Sequence, residues 1–173
     1  MRKPILLTMT LVALLLPPAG AHADTQVVRL FHGTGLKADK IVVHKSERRL
    51  KLMRNGAIFR IYPIDLGFSP TGHKVREGDG RTPEGTYYID WRNPGSQFHL
   101  SLRISYPNAE DEAKADALGV RPGGMIMIHG QPNYANPRRP KQDWTEGCIA
   151  VSNADMEEIW HAVDDGTLIE IRP

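Results

Sequence analysis

Two residues of this 173-residue chain have the type and setting for nucleophilic chemistry: its single cysteine, Cys148, and His129, nineteen positions earlier. The thiolate is the reactive form of cysteine, and an imidazole can draw off the thiol proton. His129 ends the apolar run 125–128 and is followed by Gly130, while Cys148 follows Gly147 and opens the run 149–151. Such a pair predicts a thiol that titrates below its ordinary range. Gly147 has no side chain where a substrate carbonyl would approach the backbone, so the N–H groups of Gly147 and Cys148 are candidate oxyanion donors. The residues alone leave a second reading open, with Cys148 as a small buried hydrophobe and His129 as a strand-end cap.

Several elements must hold this pair. The stretches 40–45, 49–53 and 57–66 alternate apolar and polar residues, as half-buried strands do, and Asn55-Gly56 between the last two is a hairpin signal. Residues 67–85, rich in Gly, Pro and charge, form a predicted long loop of the kind that borders functional sites. Strand patterns resume at 86–91, 98–106 and 167–171. A helix is expected after Asn108, with acids in its first turn and Gly119 as its stop, and another after Ser152 or Asn153, carrying Met156, Ile159, Trp160 and Val163. The fold class is mainly β with two short helices, either a sandwich or a partly closed barrel.

The first residues read as an export signal. Arg2 and Lys3 precede an apolar run from Ile5 to Leu16, and Ala21-His22-Ala23 forms an A-x-A cleavage site. The run is shorter than the roughly 20 residues of a membrane span. Cleavage after Ala23 would leave an arm, 24–38, and one domain, 39–173, with no transmembrane segment in the mature chain. It also removes two of the 22 basic residues and no acid, so the remaining chain balances 20 against 20. A formally neutral chain without a basic stripe predicts no nucleic-acid partner. His44, His73, His99 and His161 show no metal-ligand spacing, and the Glu157/His161 pair at i, i+4 reads as a solvated face.

The run Met127-Ile128-His129-Gly130, followed at this spacing by Thr145-Glu146-Gly147-Cys148-Ile149-Ala150-Val151, resembles the L,D-transpeptidase (YkuD-like) catalytic domain. Residues 80–89, GRTPEGTYYI, are similar to that family's Thr-Pro-x-Gly strand entrance, and 40–67 to its opening strands. The resemblance covers Asp39 to Arg172. It implies a cysteine acyl-transferase acting on peptidoglycan stem peptides, expected to be of the diaminopimelate type. Cys148 would be the nucleophile, His129 its base, Gly147 part of the oxyanion hole, and Thr145 the residue positioning the loop. No metal or organic cofactor is implied, and the compartment would be the periplasm or cell envelope. His32, also before a glycine, lies outside the matching register.

Around this core, Gly130, Glu146, Trp144 and Tyr134 are candidates for lining a substrate groove, although aromatic residues serve as often as core anchors. Arg138, Arg139 and Lys141 could meet stem-peptide carboxylates, as could Lys74, Arg76 and Arg81. Their plain reading is exposed solubilising charge. The chain departs from the family pattern twice: Glu146 stands where many members have His, and Ala150 where many have Arg. A carboxylate beside the nucleophile disfavours a thiolate unless it points away or is paired. The TxGCIAV form also resembles a branch with hydrolytic members, so an L,D-carboxypeptidase or endopeptidase releasing residues or wall-linked protein is the alternative. A non-catalytic wall-binding protein is a third reading, opposed by the retention of His129, Gly147 and Cys148 together.

Overall fold

A computed structural model describes residues 35–134 and 142–173. The proposed signal, most of the arm, His32, Arg138, Arg139 and Lys141 lie outside the described residues. The described residues form eight strands: β1 (Lys40–His44), β2 (Arg49–Arg54), β3 (Ala57–Pro63), β4 (Gly85–Asn93), β5 (Ser101–Ile104), β6 (Met127–His129), β7 (Ile149–Ala150) and β8 (Leu168–Arg172). Two helices accompany them, α1 (Ala109–Ala117) and α2 (Asn153–Ala162). No helix among the described residues is long and apolar enough to cross a membrane.

The strands make one sheet in the order β3-β2-β1-β8-β4-β5-β6-β7. Asn55 and Gly56, both at positive φ, form the two-residue turn between β2 and β3, because that turn matches the twist of the strands it joins. β4 serves both halves of the sheet. Its first residues pair with β8 and its last with β5, with an irregularity between Ile89 and Trp91 that lets the sheet bend. Bending brings the sheet back on itself: beyond β3, Asp65 exchanges two 2.9 Å backbone hydrogen bonds with Ala150 of β7. The structure thus selects the curled, partly closed barrel over the sandwich. Ile41, Leu50, Leu52, Ile89, Leu102, Ile104, Ile128, Ile149 and Ile169, all fully buried, fill its interior.

Asn108 caps α1, accepting from the N–H groups of Glu110 and Asp111, while Asp111 accepts from the Asn108 N–H. Ser152 caps α2 through the Asp155 N–H. Two expected strands are shorter than their patterns. His99 and Met125 sit at positive φ, outside the extended region, so β5 starts only at Ser101 and β6 only at Met127. The long loop is tied down by Lys45, whose buried ammonium donates to the carbonyls of Gly72 (2.6 Å) and Thr82 (3.0 Å) and to Glu84 (2.8 Å).

β8 lies between β1 and β4, in the middle of the sheet. Ile169→Ala should therefore cost about 2–5 kcal/mol in urea unfolding, as a fully buried large-to-small change. A cost below about 1 kcal/mol would show that this position is not central to the core.

Candidate active site

β6 and β7 run parallel, with Ile128 opposite Ile149 and His129 opposite Ala150. Side chains alternate along a strand, and both isoleucines point into the core. His129, Ala150 and Cys148 therefore share the other face, with His129 and Cys148 as diagonal neighbours across the pair. Parallel pairing converts a separation of nineteen residues into adjacency.

His129 is buried, and its Nδ1 lies 2.7 Å from the Gly130 carbonyl oxygen. A carbonyl can only accept, so Nδ1 carries the proton and Nε2 presents a lone pair. The ring is held by Phe98 (centroids 4.6 Å apart) and Trp144 (5.7 Å), and Tyr134 meets the Phe98 ring edge-on at 6.3 Å. Burial lowers the His129 pKa, against a smaller opposing effect of the Gly130 hydrogen bond, so the ring is neutral near pH 7. Gly130 is glycine for packing reasons: a Cβ there would lie 2.6 Å from Asn153 Oδ1 and 2.9 Å from His99 Cβ.

Cys148 is half-buried, with its Sγ 3.6 Å from the Met125 carbonyl oxygen. Burial pushes its pKa up, and Glu146 adds to this, while the Met127 amide and Lys74 pull it down. This overturns the expected low-pKa thiol. With its surroundings dry and His129 uncharged, the resting pair is thiol and imidazole rather than thiolate and imidazolium. Glu146 is exposed, and its charge is the last of the influences on the thiol.

Thr145 closes the turn before Cys148. Its hydroxyl donates to the Cys148 carbonyl (2.7 Å) and accepts from the Gly147 N–H (3.1 Å). The Gly147 N–H is thus engaged by Thr145, whereas no hydrogen bond from the Cys148 N–H to the Thr145 hydroxyl accompanies it. The reason for glycine at 147 changes. Its φ is +128°, and a Cβ would sit 2.6 Å from the Arg81 carbonyl oxygen, so the space belongs to the protein's own backbone and not to substrate.

Asp143 and Arg48 carry no local signal, because they are 95 residues apart. Asp143, at φ +48°, accepts from Arg48 Nε (2.9 Å) and Nη2 (2.7 Å) and from the Leu66 N–H (3.0 Å). Trp144 Nε1 donates to Asp65 (3.1 Å), and Thr145 exchanges backbone bonds with Leu66 and Phe68. A groove of about 220 Å³ runs past Ala150, lined in part by Asp65, Gln131 and Asp155. Lys74 departs from its plain reading: it is buried rather than solvated.

Residues 38–171 match the family model of YkuD, the L,D-transpeptidase catalytic domain. The chain is similar to YafK of Escherichia coli (strain K12), which is named as an L,D-transpeptidase, at 31% identity over 140 residues, covering 77% of this chain and 50% of that protein. It thus spans about half the length of the curated relatives it matches. Among solved structures, the helical cell shape determining protein Pgp2 from Campylobacter jejuni aligns with a TM-score of 0.57 and 26% identity, over 76% of this chain and 46% of that one. Bd1075 from Bdellovibrio bacteriovorus aligns at 0.54 and 25%, with the same coverage.

A raised thiol pKa has a kinetic signature. Alkylation of Cys148 by iodoacetamide should be slow at pH 7 and still be rising above pH 9, because the thiolate fraction grows only as pH nears the elevated pKa. A rate plateau already reached below pH 7 would instead reveal a preformed ion pair.

Proposed function

Because the chain belongs to the L,D-transpeptidase (YkuD) catalytic domain family, we propose that it is an exported cysteine acyl-transferase acting on peptidoglycan stem peptides. The observation that carries this reading is the His129 tautomer. With Nδ1–H held by the Gly130 carbonyl, Nε2 is free to accept a proton on the face that also presents Cys148. His129 takes the thiol proton as Sγ attacks the carbonyl that follows an L-centre, expected to be that of diaminopimelate. The tetrahedral oxyanion collapses to a thioester on Cys148, and His129 returns the proton to the departing amine. An amine or water then resolves the acyl-enzyme.

Burial supports this sequence of steps. A neutral imidazole at pH 7 is already in the base form, so no fraction of the enzyme is lost to protonation until the pH falls well below the ordinary histidine range. Thr145 fixes the carbonyl of Cys148 and thereby the direction of its side chain. Trp144 and Tyr134 supply the aromatic wall beside His129, and Tyr134, 56% exposed, is available to a substrate. The partners proposed are stem peptides and, for the hydrolytic alternative, wall-linked protein.

A specific observation keeps the hydrolase reading in play. Where many family members have Arg, Ala150 stands without a charge and lines a groove together with Asp65 and Asp155. Residues 24–173, incubated with a diaminopimelate-containing tetrapeptide muropeptide and with wall bearing linked protein, should give a Cys148 acyl adduct in mass spectra. Cross-linked or D-amino-acid-exchanged products identify a transferase, and release without exchange a hydrolase. Cys148→Ala should abolish turnover, and His129→Ala should slow acylation by about 10²–10⁴-fold with the fold retained. Unchanged processing by Cys148→Ala would sink the nucleophile assignment.

A further inference from the structure

Lys74 is 3% exposed, an unusual position for an ammonium group. Its Nζ donates to the Arg76 carbonyl (3.0 Å) and to Asp79 Oδ1 (2.9 Å). Asp79 does not need it. The carboxylate already accepts from the N–H groups of Val75 (2.8 Å), Arg76 (3.1 Å) and Arg81 (3.0 Å), a set that closes the turn by itself. Burying a charge whose partner is otherwise satisfied costs stability unless the charge serves something else.

The surroundings indicate what that is. Just past Asp79, the Arg81 carbonyl packs against Gly147, leaving no room for a Cβ. On the other side, Glu77 donates its N–H to the Arg121 carbonyl (2.9 Å), and its Cα would lie 3.1 Å from a Cβ at Gly123. That segment continues to Met125, whose carbonyl faces Cys148 Sγ. The turn bearing Lys74 is therefore wedged against both segments that cradle the sulfur. Two charged groups act on the thiol, Lys74 and Glu146 of its own loop, while His129 of β6 is neutral by burial and Asp79 stays paired with Lys74 at 2.9 Å. Lys74 favours the thiolate more strongly than Glu146 opposes it.

We propose that Lys74 is a positioning residue for Cys148, a buried positive charge on the 67–85 loop that stabilises the thiolate as His129 takes the proton. It acts through space on the nucleophile and does not itself transfer a proton. This rests on Cys148 being the reactive thiol, but its test needs no substrate and so stands apart from any assay of wall chemistry.

The experiment is the pH profile of Cys148 alkylation by iodoacetamide in the wild type, Lys74→Met and Lys74→Arg, with far-UV circular dichroism and thermal melts in parallel. Lys74→Met removes the charge and keeps most of the volume. Its profile should move to higher pH, so that at pH 8 the rate falls about three- to tenfold, a unit of pKa being a factor of ten in thiolate below the midpoint. Lys74→Arg should restore the wild-type profile. A purely structural role predicts the reverse for Lys74→Met: a loosened loop lets water reach the sulfur, and the profile moves down toward an ordinary thiol. An unmoved or lowered profile in Lys74→Met, or Lys74→Arg behaving like Lys74→Met, overturns the proposal. So does loss of the folded state in both variants, which would make the lysine a structural element.

Discussion

A strand of two residues cannot hold itself, and the candidate site depends on one that is held from both sides. Ala150 exchanges both of its backbone bonds with Asp65, while the opposite edge of β7 pairs with β6 and the Val151 N–H donates to the His129 carbonyl. Cys148 is the residue immediately before this clamp. Its placement is therefore set by backbone hydrogen bonding to two segments far away in sequence, and the side-chain anchors Arg48–Asp143 and Trp144–Asp65 hold the turn that leads into it. Curling of the sheet and positioning of Cys148 are the same structural event.

Dryness is the second theme. Burial acts on the two reactive groups in opposite senses, lowering the His129 pKa and raising that of Cys148, so both favour their neutral forms. Such a pair stores no reactive thiolate at rest. The Met127 amide is directed at the sulfur and would favour its charged form. A protonated resting state also limits adventitious oxidation of a thiol, because oxidation proceeds through the thiolate.

What the sequence disclosed follows from how local each signal is. The Asn55-Gly56 turn, the Asn108 and Ser152 caps and the pairing of His129 with Cys148 were legible because each is carried by residues close in the chain or by a motif of fixed spacing. The register that sets His129 beside Cys148 was legible only through the motif, since a two-residue strand has no periodicity to read. At Gly147 the sequence shows that a side chain is missing but not that the Arg81 carbonyl occupies the space. Lys74 was misread because burial of a charge depends on Asp79 folding back beneath it, and nothing in a Gly-rich, charged stretch distinguishes that from a solvated loop. Arg48 and Asp143 carry no local signal at all.

The position of β8 has a consequence for the order in which the domain can be assembled. β8, the last of the described strands in sequence, lies between β1 and β4, parallel to the first and antiparallel to the second. Until residues 168–172 are available, the β1–β3 meander has no partner along its inner edge, and the half of the sheet bearing Cys148 and His129 cannot be joined to it there. That seam stays open until β8 takes its place in it, so the two halves of the described sheet close around this one strand.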